Sequence, residues 1–95
     1  MDRMEHFHGK LFEGDRMLLD DVDGYLGHHD RKNGLKTYFG YFEVATDRTE
    51  AIDGRNTYKL VFDDGRVGSI YTDIHASNHP GQSLAEFHVS GGLHR

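Results

Sequence analysis

The sequence predicts a small all-β protein: a closed or half-closed antiparallel β-barrel of SH3-like size, or a strongly bent sandwich, with six to seven strands. Three observations predict it. The pattern Φ-x-Gly-x-Φ, with Φ a large apolar residue, occurs at Phe7-His8-Gly9-Lys10-Leu11, Tyr38-Phe39-Gly40-Tyr41-Phe42 and Val89-Ser90-Gly91-Gly92-Leu93. Period-two spacing puts both large residues and the glycine on one strand face, where a glycine marks a bend or a close backbone approach. Short β-branched and aromatic runs alternate with Asp-Gly and Asn-Gly pairs, and no helical periodicity is sustained. Finally, 95 residues with 36% apolar content allow one thin core, to which six Phe and five Tyr must contribute heavily. Residues 1–95 are therefore read as a single domain.

Strands are expected near 5–12, 16–20, 25–29, 35–44, 57–63, 66–72 and 84–93. Asp23-Gly24, Asn33-Gly34 and Asp64-Gly65 suit hairpin turns, because type I′ turns need positive φ. The stretch 46–52 reads as one helical turn, with Thr46 or Asp47 as its cap and Glu50 in capping-box position for Asp47. Polar connections are expected at 45–56 and 73–83, long enough to carry a site. The core should hold Phe7, Leu11, Leu18, Leu26, Tyr38, Phe42, Leu60, Phe62, Ile70, Phe87, Val89 and Leu93. Asp-Gly-x-x-Gly recurs at Asp23 and Asp64, an offset of 64 − 23 = 41 residues. It suggests an internal duplication about a pseudo-twofold axis.

Composition narrows the function. Net charge is −5 with histidine neutral and no basic stripe exists, which disfavours nucleic-acid binding. There is no cysteine for a disulfide or thiolate site. No run approaches the roughly 18 apolar residues of a membrane span, and no signal-like segment opens the chain. A soluble cytoplasmic protein is expected. No serine sits in a Gly-x-Ser-x-Gly elbow, and no Gly-rich loop leads into a helix. Asp20-Asp21-Val22-Asp23-Gly24 lacks the later ligands of a calcium loop and reads as turn chemistry. No catalytic set is identified, and a non-enzyme is expected.

Histidine is the compositional anomaly, with eight: His6, His8, His28, His29, His75, His79, His88 and His94. His6 and His8 share a strand face, a spacing that can place two imidazoles on one metal. His75 and His79 fall in the 73–83 connection. Glu5, Asp30, Asp73 and Glu86 are the carboxylates considered as a third ligand. No compact metal motif is completed, so no cofactor is expected, with a divalent metal as the alternative. The strand faces opposite the glycines carry His6, His8 and Lys10; Thr37, Phe39, Tyr41 and Glu43; Glu86, His88 and Ser90. Aromatics beside histidine and charge on a solvent face resemble a recognition surface. The expected binding residues are His8, Phe39, Tyr41 and His88, with His75 and His79 on the loop. Phe39 and Tyr41 would be the energetic centre and the histidines a rim that titrates near pH 6.5 when unperturbed.

The function expected is a non-enzymatic binding or assembly module that recognises a protein partner or itself, for instance as a homodimer. Two alternatives stand beside it. One is a histidine-based metal-binding protein or small metal-dependent enzyme. The other is an acidic phage or mobile-element inhibitor of a host protein.

Overall fold

The computed structural model describes residues 4–34 and 36–95. Six strands form: β1 (Glu5–Glu13), β2 (Arg16–Asp30), β3 (Lys36–Ala45), β4 (Tyr58–Phe62), β5 (Val67–Ala76) and β6 (Gln82–His94), with a 3₁₀ turn at Thr46–Ala51. They close into an antiparallel barrel in the order β1-β2-β3-β6-β5-β4, β4 pairing back onto β1. Closure gives every strand a neighbour on both sides, although β2 before Gly24 and β5 after Ile70 are paired on one side only. Among the described residues no helix is long and apolar enough to cross a membrane.

Inward-facing positions fill the barrel. Phe7 and Leu11, Leu26, Phe42, Leu60 and Phe62, Ile70, Phe87 and Val89 are all buried, as the period-two pattern predicts. Phe7 packs on Phe62 at 4.9 Å and edge-on to Phe87 at 6.0 Å, and Phe42 meets Phe87 at 6.0 Å. These rings make the interior a packed core rather than a channel. Leu18, Tyr38 and Leu93 are only partly buried against it, while Leu19, Val22, Val44, Ile52, Tyr58 and Ala85 join it unannounced.

The largest departure from expectation is β2. Asp23-Gly24 is no turn: a single 15-residue strand runs through it, replacing the two expected at 16–20 and 25–29. Two features explain this. Gly24 and Gly40 face inward where β2 and β3 almost touch. A Cβ on Gly24 would fall on the Tyr41 carbonyl oxygen, and one on Gly40 on the Tyr25 carbonyl oxygen. The glycine at 24 thus serves close strand approach, not reversal. The register also slips, with Gly9 opposite Val22 but Leu11 opposite Leu19. This bulge at Asp20-Asp21 lets Leu19 and Val22, three apart, both face inward.

Other differences are smaller. Asn33-Gly34 and Asp64-Gly65 do turn the chain, with Gly34 at φ 82° and Gly65 at φ 97°. The 3₁₀ turn is preceded by Ala45 with no side-chain cap; Thr46 instead shares a hydroxyl hydrogen bond of 2.9 Å with Ser83. The second polar connection shrinks to 77–81, because β5 continues to Ala76 and takes His75 with it. Gly91 does not sit on the buried face. It is exposed at φ 81° in a bulge with Gly92, where β6 slips against β5 between Ser69 and Val67. The strand order does pair two three-stranded meanders, β1-β2-β3 and β4-β5-β6. The Asp-Gly-x-x-Gly copies do not follow it: the first lies mid-strand in β2, the second at the β4–β5 turn.

Candidate functional site

Directly opposed outward residues of an antiparallel sheet form rows across it. One such row crosses five strands: His6 opposite Tyr25, Tyr25 opposite Tyr41, Tyr41 opposite Glu86, and Glu86 opposite Asp73. The next row is Gly27, Phe39, His88 and Tyr71. The wall of β2, β3, β6 and β5 therefore carries a belt of rings on its outer surface.

At its centre stand Tyr25 and Tyr41, 41% and 37% exposed, with ring centroids 5.6 Å apart. They border an open groove of about 370 Å³ that is also lined by His6, Asp21, Asp23 and Glu43. Strand alternation sets Asp21 and Asp23 outward in line with Tyr25 on β2, and Glu43 outward in line with Tyr41 on β3. The only ion-pair partners of these acids among the described residues are imidazoles. His79 Nδ1 donates to Glu43 Oε1 at 2.6 Å, His75 Nε2 lies 3.9 Å from Glu86, and Asp23 faces His6 and His8.

The expected binding residues separate on this frame. Tyr41, His88, His75 and His79 lie on the β3–β6–β5 wall and the short loop beside it. His8 is roughly a third of the way round the barrel from β3, on β1. Phe39 is half-buried rather than presented. It stacks on His29 at 4.7 Å and covers Gly27. His88 stacks on Tyr71 at 5.6 Å. The ring that shares the groove with Tyr41 is thus Tyr25, while Phe39 lies in the next row. Tyr25, Tyr71, Asp21 and Asp23 were missed. Reading β2 as continuous would have revealed Asp23 and Tyr25 alternating with inward Val22, Gly24 and Leu26.

His6, His8 and Asp23 also form the one group among the described residues whose donor atoms could meet at a metal, all lying within 4.8 Å of one another. Glu5, Asp30, Asp73 and Glu86 do not join it. Glu5 is taken by Arg66.

On the other flank of β1 the charges are closed off. Arg66 donates from Nε to Asp64 Oδ2 at 2.9 Å and from a terminal nitrogen to Glu5 Oε1 at 2.6 Å, while its guanidinium lies 5.1 Å from the Phe62 ring centroid. The side-chain hydrogen bond from Arg66 holds the Asp64 carboxyl below the usual carboxylate range. The same pairing raises the Arg66 pKa above its ordinary value. Asp53 is lowered likewise by Arg55.

Comparison with known proteins finds no matching family model, no matching curated relative and no matching solved structure.

Proposed function

We propose that the protein is a non-enzymatic binding module that holds a cationic segment of a partner protein against the Tyr25–Tyr41 row. The observation that carries this reading is the exposed tyrosine pair rimmed by Asp21, Asp23, Glu43 and Glu86, in a groove that no Lys or Arg lines among the described residues. No Lys or Arg occurs from Thr37 to Asp47 or from Gln82 to His94. Guanidinium or ammonium groups are attracted to tyrosine faces and form charge-assisted hydrogen bonds with carboxylates. The net charge of −5 would also steer a basic segment inward. The barrel interior is full of side chains, which leaves the outer surface to a partner, and the exposed side chains of the tyrosine row favour recognition through side chains over strand addition. The lack of cysteine suits a reducing compartment, and we place the module in the cytoplasm.

The test is calorimetric titration with the peptide acetyl-Leu-Arg-Lys-Leu-Arg-amide, compared with the same peptide carrying Gln at the basic positions. Binding with a Kd on the order of 10–100 µM is expected for the basic peptide alone. Equal binding of both peptides, or of neither, would remove the reading.

Self-assembly is a second reading with its own observation. The β2–β3 turn presents Arg31, Lys32 and Lys36, all exposed, a basic tip that a second copy could place on the acidic row. Light scattering across a concentration series decides it: a mass that rises with concentration and falls back in Arg31→Glu/Lys32→Glu supports assembly, and a constant monomer mass excludes it.

A further inference from the structure

We infer that His6, His8 and Asp23 form a binding site for a divalent first-row transition-metal ion, with zinc(II) as the representative ion. The inference rests on side-chain placement and not on the peptide-binding reading, although His6 and Asp23 also border the Tyr25–Tyr41 groove, so an ion held there would compete with a cationic segment for Asp23. His6 and His8 are two apart on β1 and project from the same face, their rings 4.7 Å apart edge to face. Asp23 is directly opposite His8 in the β1–β2 register and diagonal to His6. One carboxylate oxygen contacts His6 Nε2, and the other lies 3.6 Å from His8 Nε2.

A tetrahedral ion with bonds of about 2.05 Å needs its donors about 3.3 Å apart. Three donor atoms already within 4.8 Å reach that spacing by side-chain rotation alone. The backbone need not move, because all three residues sit on two hydrogen-bonded strands of a closed barrel.

The donor set chooses the class of ion. Two imidazole nitrogens and one carboxylate suit zinc, copper or nickel, whereas calcium and magnesium need several more oxygens than the trio supplies. Three protein ligands leave a fourth position for water. His6 and His8 are about half exposed and Asp23 is 59% exposed, so an ion can enter directly. On one side the Tyr25 ring packs beside His6 at 5.2 Å, limiting how that imidazole turns. The exposure also means the ligands remain hydrated until the ion arrives, and binding is expected in the micromolar range rather than tighter.

Untagged, chelator-treated protein is titrated with zinc chloride by calorimetry. The histidine ring nitrogens are followed in parallel by long-range proton–nitrogen NMR. One ion per chain is expected, with the His6 and His8 Nε2 resonances moving together. His6→Gln, His8→Gln and Asp23→Asn should each weaken binding at least tenfold. His75→Gln, His79→Gln and His88→Gln should stay within twofold of the parent. All six positions are exposed, and unchanged thermal melts confirm that each variant is folded. No calorimetric binding, binding that survives Asp23→Asn undiminished, or shifts confined to the other histidines would each overturn the site.

Discussion

Two surfaces flank β1, and they are built from the same parts with one difference. At the β4–β5 turn, Phe62, Asp64 and Glu5 surround a guanidinium, that of Arg66. On the β2–β3 wall, Tyr25 and Tyr41 stand with Asp21, Asp23 and Glu43 in a groove that no Lys or Arg lines among the described residues, Arg48 lying on the adjoining surface beside Asp21 and Glu43. The first surface is thus an internal example of what the second is equipped to hold. The Arg66 side chain is 23% exposed, its charge satisfied from within the chain. The tyrosines are 41% and 37% exposed, and the ion-pair partners of their acids among the described residues are imidazoles, which carry charge only when protonated. Like chemistry, closed on one flank and open on the other, separates the Arg66 clasp from the exposed tyrosine groove.

The strongest way to break this comparison is to disturb the platform under the tyrosines. Gly40→Val should destabilise by about 3 kcal/mol, the upper part of the usual overpacking range, because the added carbons meet a backbone carbonyl and the Phe87 ring. At the clasp turn, Gly65 has φ 97° with open space around it, so Gly65→Ala should cost only about 1–2 kcal/mol, from conformation alone. Urea denaturation measures both; equal losses would mean the β2–β3 approach is not tight.

Next in size is a pair on the open wall. Phe39→Ala should cost about 1–2 kcal/mol, since the ring is half-buried over Gly27. Tyr41→Ala should change stability by less than about 1 kcal/mol yet weaken the basic peptide at least fivefold. Melts and calorimetry on the same samples separate the two, and a Tyr41 variant that binds like the parent would return the centre to Phe39.

The clasp itself should be worth little. Arg66→Ala is expected to cost about 1 kcal/mol, the sum of a partly screened ion pair and a cation–π contact. It should leave peptide binding unchanged. The smallest effect concerns pH. The Asp64 carboxyl is lowered in the folded state by its hydrogen bond from Arg66, so its stabilisation is present above about pH 4, the unfolded range, and is lost as pH falls through the lowered folded value. Melting curves from pH 6 to 2.5 should show a slightly shallower acid limb in Arg66→Ala than in the parent, and parallel limbs would mean that Asp64 is not held by Arg66.

Much of the barrel could be read from local pattern. The inward rows Phe7–Leu11, Leu60–Phe62 and Phe87–Val89 follow from period-two alternation, and two of three expected turns fall at Asn33-Gly34 and Asp64-Gly65. The third failed because Asp-Gly has the same local preference whether it reverses the chain or lies under a crowded strand. Only the opposing Tyr41 carbonyl, distant in sequence, distinguishes the two. That error concealed the neighbours of Tyr41, His6 and His8. Splitting β2 at Asp23 broke the alternation that sets Asp23 and Tyr25 outward, so the tyrosine partner of Tyr41 and the carboxylate beside His6 and His8 both went unseen. Tyr41, His6 and His8 were legible because each belongs to a strand whose face its own neighbours define. Cross-strand register, which pairs Tyr25 with Tyr41 and His8 with Asp23, is not written in any one segment.

The central claim is that the open wall receives a cation as the Arg66 clasp already does. Backbone amide NMR during titration with acetyl-Leu-Arg-Lys-Leu-Arg-amide tests it most directly. The account predicts shifts concentrated at Asp21, Asp23, Tyr25, Tyr41 and Glu43, with the amides from Asp63 to Val67 unmoved. Shifts spread evenly over the barrel, or gathered at the β4–β5 turn, would contradict it.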